Sequence, residues 1–219
     1  EDYGCDGVIA TGHEAAAHGE HVTSLVLVPS LVDAVKIPVI ATGGFGDGRG
    51  LAAALAMGAE GIAMGTRFMT TKESPLHDVY KRLSLEKGVE DTLYSDRFDG
   101  LLCRIMKTDA AERAVRKGLN LPAAFFNAQD IAKQLKLPFF KLFIGVMMSG
   151  WKTAKQLAFM ANGFHAIRVA TEDGDTKEGV LPVGQVMGLL HDEPTVAELM
   201  ERMAVEAEKQ QQKLNAHFA

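Results

Sequence analysis

Two glycine turns and one histidine loop are the residues whose types and spacing point to chemistry. Gly43-Gly44 ends the apolar run Ile37-Pro38-Val39-Ile40-Ala41-Thr42, and Gly65-Thr66 ends Gly61-Ile62-Ala63-Met64. Glycine at a strand end accepts positive φ and lets backbone N–H groups approach an anion without a Cβ in the way. A helix starting directly after Gly43-Gly44 would add its partial positive charge. One glycine pair alone would read as a tight turn. Two such turns, one βα unit apart, fall on the same rim, and with the Thr66 hydroxyl they describe a phosphate site of the kind found after the last two strands of (β/α)8 barrels. Arg49 and Arg67 lie close in sequence and are expected to tie loops to helices through salt bridges.

The histidine loop spans residues 12–20, one unit earlier, with His13 and His18 in it and His21 just beyond. Histidine exchanges protons near neutral pH or hydrogen-bonds an anionic intermediate. Ala15, Ala16 and Ala17 let the backbone pass close to a flat ring. His18 stands out by position, yet the residues alone do not choose among the three histidines. Glu14 reads as a solvated carboxylate. His77, His165, His191 and His217 have no metal-ligand spacing, so they are expected to pack or face solvent, and no metal site is expected. Trp151, Phe159 and Phe164 read as interhelical core contacts. Gln185 is an isolated polar residue with some reach toward the rim.

Positioning these groups requires parallel βα units. Strands are expected at 7–11, 38–41 and 61–64, apolar almost throughout as strands covered on both faces must be. A helix starts near Thr23, Ser24 or Pro29 with Leu27, Leu31 and Val35 inward. A second carries Leu51, Ala52, Leu55 and Ala56 on its apolar face and stops at Gly58. Ligands of parallel α/β folds bind beyond the carboxyl ends of the strands. After Thr70 the pattern turns helical, with segments expected at 75–87, 108–117, 128–135, 153–162 (ended by Gly163) and 194–217. Between them come a short irregular strand within 89–106 and a surface loop at 171–175.

The remaining bounds come from composition. A chain of 219 residues with 47% hydrophobic residues can bury a substantial core in one or two domains. The net charge of −5, with no basic stripe, argues against a nucleic-acid partner. No apolar run reaches a membrane span; the longest, 137–148, is interrupted by Pro138, Lys141 and Gly145. Cys5 and Cys103 lie far apart and read as reduced thiols of a cytoplasmic protein. The chain opens on Glu1 at a βα unit and reads as part of a longer gene product.

The quoted motifs resemble the nitronate monooxygenase family, formerly 2-nitropropane dioxygenase. They are His13-Glu14-Ala15-Ala16-Ala17-His18-Gly19, Ala41-Thr42-Gly43-Gly44-Phe45-Gly46-Asp47-Gly48-Arg49-Gly50 and Met64-Gly65-Thr66-Arg67-Phe68. The likeness continues through Gly174-Asp175, Glu178-Gly179 and Gly184-Gln185 to Asp192-Glu193-Pro194. It implies an α/β fold: the last three βα units of an FMN-dependent TIM barrel (1–75), a mostly helical substrate domain (76–185) and a terminal helix packing back on the barrel (186–219). It assigns proton handling to His18, the phosphate cradle to Thr42, Gly43, Gly44, Gly65 and Thr66, and the ring neighbourhood to Ala16 and Ala17, where many members have Gly-Gly. The implied cofactor is FMN, with NAD(P)H as an electron donor. The implied substrate is a nitronate, nitroalkane, quinone or enoyl thioester, and a homodimer is compatible with the family. An FMN-dependent enoyl-carrier-protein reductase is the nearest alternative. Inosinate and guanylate oxidoreductases need a cysteine in the loop that here spans 12–20, and none is present. A third alternative is an inactive truncated fragment.

Overall fold

The computed structural model describes residues 4–218, which form two compact units. One holds the described residues up to Thr92 together with those from Val183 onward; the other is Leu93–Pro182.

In the first unit, β1 (Val8–Thr11), β2 (Val39–Thr42) and β3 (Gly61–Ala63) form a parallel sheet in the order β1-β2-β3. Register pairs Thr11 with Thr42 and Thr42 with Ala63, so the three carboxyl ends sit side by side. The helices α1 (Ser24–Ala34) and α2 (Gly48–Ala56) pack on this sheet. The core gathers Ala10, Val28, Val39, Ala41, Phe45, Ala54 and Ala59. Val28 is the fully buried apolar residue of α1, with Leu27, Leu31 and Val35 partly buried against the same core as expected, while Leu25 and Val26 are exposed. The short α3 (Thr66–Met69) and α4 (Asp78–Glu86) follow, the latter capped by His77, whose Nδ1 accepts from the Val79 N–H. The last helix, α9 (Val196–Phe218), buries Leu199 and Met203 and packs along α2. Asp192, just before it, receives Arg67 at 3.0 Å and Arg202 at 2.7 Å.

The second unit pairs β4 (Thr92–Ser95) with β5 (Cys103–Met106), where Arg104 stacks over the Tyr94 ring. Four helices follow: α5 (Asp109–Lys117), α6 (Leu121–Gln134), α7 (Phe139–Met148) and α8 (Trp151–Arg168). Three segments here differ from what the sequence suggests. The interrupted apolar run is a helix, α7, with Pro138 as its N-cap and Gly145 in its interior. Gly163 does not end α8; it is buried because a Cβ there would lie 2.8 Å from Asp99 Cβ, so the glycine serves packing. The segment 171–175 begins as the end of a π-helical turn, Val169–Asp173, rather than a free loop. Trp151 and Phe164 are 70% and 54% exposed, so neither is a buried core contact; both line the apolar cavity between the helices, the other role their size allowed. Helices α6, α7 and α8 enclose an apolar cavity of about 420 Å³, walled by residues such as Phe125, Ile131, Phe143 and Met147. No helix among the described residues is long and apolar enough to cross a membrane.

Candidate functional site

The carboxyl ends of β1, β2 and β3 carry the histidine loop and the two glycine turns onto one rim, as the strand register requires. Gly43 and Gly44 have φ of +95° and +86°. A Cβ on Gly43 would meet Gly12 O at 2.9 Å and Ala15 N at 3.1 Å, so this glycine is demanded both by conformation and by the loop leaning on it. The Thr42 hydroxyl donates to Ala63 O at 2.9 Å, which binds β2 to β3 and leaves that side chain only acceptor capacity. Thr66 is buried, and its Oγ1 accepts the Gly184 N–H at 2.9 Å, which leaves its own hydrogen to donate. Gly65 is the opposite of Gly43: its φ is −85°, and a Cβ there would meet nothing within 4 Å.

Among the described residues, the backbone N–H groups of Gly43, Gly44, Gly65 and Thr66 have no acceptor in the protein. Two turns of unengaged donors over open space at Gly65 form a cradle whose chemistry suits an anion. The neighbouring helix contributes less than the sequence implied. At the start of α2, Asp47 Oδ1 accepts from the N–H groups of Arg49 and Gly50, and Glu206 of α9 accepts from Gly48 N–H at 2.9 Å. That helix terminus is already occupied by carboxylates. Burial pulls the Asp47 carboxyl up, but hydrogen bonds from Arg49 and from the Gly50 and Arg49 N–H groups outweigh it and hold the group below its ordinary value. Arg49 and Arg67 make the expected salt bridges, with Asp47 and Asp192.

The histidines separate by position. His13 Nδ1 lies 2.9 Å from Glu20 O, and since a carbonyl only accepts, this bond places the proton on Nδ1. The His13 and His21 rings stack at 6.2 Å, closing the base of the loop. His18 is exposed further along it. Immediately before it, Ala17 holds φ +51°, a left-handed conformation that disfavours a Cβ by about 1 kcal/mol. Ala15 is buried and Ala16 half-buried.

One participant escapes the sequence reading, and a second reads there only as a polar residue with reach toward the rim. Glu14 is not a solvated carboxylate: its Oε2 accepts from Ser24 N–H at 2.9 Å and stands 3.0 Å from Ser24 Oγ. Ser24 Oγ in turn lies 2.7 Å from Gly43 O. Gly12 permits this, because a Cβ there would sit 2.0 Å from Ser24 Oγ. The second participant is the dipeptide Gly184-Gln185. Gly184 N–H reaches Thr66, and the Gln185 backbone N–H donates to Glu14 O at 2.9 Å. Gln185 thus joins the rim through its main chain. Only its place after a glycine signalled this.

The nitronate monooxygenase family model matches residues 1–206. The chain belongs to the nitronate monooxygenase family. It is 39% identical, over 98% of its length, to the (3aS,4S,5R,7aS)-5-hydroxy-7a-methyl-1-oxo-octahydro-1H-indene-4-carboxyl-CoA dehydrogenase of Rhodococcus jostii, covering 62% of that protein. A probable nitronate monooxygenase of Staphylococcus haemolyticus is 37% identical over 56% of the chain and 37% of its own length. FabK from Thermotoga maritima superposes with a TM-score of 0.73 at 30% identity, over 99% of this chain and 58% of that one. A nitroalkane oxidase from Streptomyces ansochromogenes gives 0.67 at 26%, over 97% and 55%. The family is one of oxidoreductases, and the fold is α/β. The chain spans about three fifths of the length of the CoA dehydrogenases it matches along nearly its whole length, and less of the nitronate monooxygenase.

Proposed function

We propose that this chain is the cofactor-holding part of an FMN-dependent oxidoreductase and that the rim cradle grips the FMN phosphate. The observation that carries the reading is the set of unengaged N–H donors on two adjacent strand ends, with open space at Gly65. Gly43, Gly44, Gly65 and Thr66 would hold the phosphate, with the Thr66 hydroxyl as a further donor. Thr42 braces the cradle, and Ala16 and Ala17 run beside the flavin ring. In this reading the three βα units are the last three of a (β/α)8 barrel, and the second unit is the family's helical substrate domain. The exposed apolar residues Ile9 on β1 and Leu25 and Val26 on α1 support it, because an open strand edge with apolar flanks calls for a further neighbour.

FMN, when bound, supplies hydride and single-electron chemistry that no side chain here can perform. The chain's own contribution is a proton: His18 takes it from, or returns it to, the carbon next to an electron-withdrawing group. We favour a thioester carbonyl as that group. The relatives from Rhodococcus and Mycobacterium that align along 98% and 94% of the chain are coenzyme A thioester dehydrogenases by name, whereas the Staphylococcus haemolyticus nitronate monooxygenase aligns over 56%. The family match keeps an alkyl nitronate as the second reading.

The test loads the full protein with FMN, removes oxygen, and adds in separate runs an alicyclic acyl-CoA thioester, an alkyl nitronate, and NADH with an enoyl thioester or a quinone. Bleaching of the flavin by the thioester, at a rate lowered roughly 10²- to 10⁴-fold by His18→Ala with FMN still bound, is the expected result. A protein that binds no FMN, or a His18→Ala variant with unchanged rates, would remove the reading.

A further inference from the structure

The Gly43-Gly44 peptide is the most rotatable link in the cradle, since neither flanking residue has a Cβ to restrain it. Its direction decides the chemistry. A trans peptide is planar, with the carbonyl of Gly43 and the N–H of Gly44 pointing opposite ways. Turned one way, the cradle presents a donor to an anion; turned the other, it presents a carbonyl oxygen and repels one. Something must hold the plane.

Ser24 Oγ, 2.7 Å from Gly43 O, is the group that does so, in a buried contact. Ser24 is itself held by Glu14, whose carboxylate accepts its backbone N–H at 2.9 Å. The one hydroxyl hydrogen of Ser24 has two close acceptors, Gly43 O at 2.7 Å and Glu14 Oε2 at 3.0 Å, and the nearer is the Gly43 carbonyl. The first residue of α1 therefore has its N–H satisfied by Glu14, while its N-cap, Thr23, makes no side-chain cap bond. Glu14 is located in turn by the Gln185 N–H on its main-chain oxygen and by the Gly44 backbone against its side chain. Its charge faces the positive end of α1 and is engaged there by the Ser24 N–H. With the Gly43 carbonyl drawn toward Ser24, the planar peptide turns the Gly44 N–H the opposite way and leaves it free to meet a ligand.

We infer that Glu14 and Ser24 are positioning residues that fix the Gly43-Gly44 peptide in its anion-binding orientation. They tie the phosphate cradle to the loop bearing His18. The inference rests on the flavin reading for the identity of the ligand, but not for the orientation of the peptide.

The experiment separates phosphate recognition from general damage by comparing FMN with riboflavin, which lacks the phosphate, on the full protein. Ser24→Ala is expected to weaken FMN about tenfold, the effect of one lost hydrogen bond, and to leave riboflavin within about twofold. Glu14→Ala should do the same or more. Glu14→Gln should restore FMN binding, because its amide can accept from Ser24 N–H and donate to Ser24 Oγ. Equal weakening of FMN and riboflavin, or no weakening of either, overturns the inference. Titration of ¹⁵N-labelled protein with inorganic phosphate gives a readout independent of flavin. The Gly44 amide should shift in the wild type and not in Ser24→Ala, and an equal shift in both refutes the positioning role. If neither flavin binds the wild type, the FMN reading fails, and the phosphate titration still decides the inference.

Discussion

Replacing Gly65 by alanine separates a glycine kept for a ligand from one kept for the fold. Gly65 sits at φ −85° and ψ −67°, an ordinary conformation for alanine, and its Cβ would meet nothing within 4 Å. Folding stability should therefore change by no more than about 0.5 kcal/mol, or rise slightly because alanine restricts the unfolded chain. The methyl group enters the space the phosphate would use. Each N–H bond to a charged oxygen contributes about 1.5–3 kcal/mol, so losing or stretching one or two removes about 2–4 kcal/mol of binding. FMN should bind roughly 30- to 700-fold more weakly. Gly43→Ala is the contrast. It places a Cβ at φ +95°, 2.9 Å from Gly12 O and 3.2 Å from Ala15 Cβ, and should lower stability by about 2–5 kcal/mol. Urea unfolding gives the stabilities, and quenching of flavin fluorescence gives the affinities. A Gly65→Ala protein that is as stable as the wild type and binds FMN equally well would show that the cradle is not the phosphate site.

Three further outcomes follow from packing and charge. Gly48→Ala drives a Cβ to 2.3 Å from Glu206 Cβ and 2.6 Å from Ala207 N, so α2 and α9 must separate; a loss of about 2–4 kcal/mol should appear as a Tm lowered by roughly 4 to 16 °C, and an unchanged Tm would contradict the close helix contact. At Asp192, burial raises the carboxyl, but Arg202 and Arg67 outweigh it and hold it below the usual carboxylate value of 3.8. A depressed carboxylate stabilises the fold above its unfolded pKa and loses that contribution as pH falls through its folded one. Stability should therefore drop below about pH 4, and less steeply in Asp192→Asn, as read from acid titrations of Tm. Burial, with the Asp99 charge beside it, pushes the Cys103 thiol up to about 12, whereas Cys5 is exposed. In the native protein a thiol reagent should label Cys5 and spare Cys103, as mass spectrometry of the labelled peptides would report; rapid labelling of Cys103 would contradict its burial.

The three strands were legible because each is a short apolar run closed by glycine, and α4, α5 and α9 because their apolar faces recur at helical spacing. Helix α7 was hidden for the opposite reason. It is apolar nearly all round, and Pro138 and Gly145 look like breaks although one is a cap and the other an interior residue. Gly163 misled in the same way, since a glycine buried for helix packing looks in sequence like one that ends a helix. At the rim, the glycine turns announced themselves through residue type. The Glu14–Ser24–Gly43 chain did not, because glutamate and serine ten residues apart carry no pattern until β1 and α1 bring them together. The Gly184 bond to Thr66 spans 118 residues, a pairing no local reading contains.

The carboxylate of Glu206 on the α2 terminus sets a timetable for synthesis. Gly48 and Glu206 are 158 residues apart, with the whole second unit translated between them. At about 5–20 residues per second, the start of α2 waits roughly 8 to 32 s for its partner. The second unit is contiguous in sequence and can complete itself on the ribosome during that interval. The α2 face that α9 will cover meanwhile stays in water, where chaperones can reach it. A C-terminal truncation that removes α9 would turn this passing state into a permanent one.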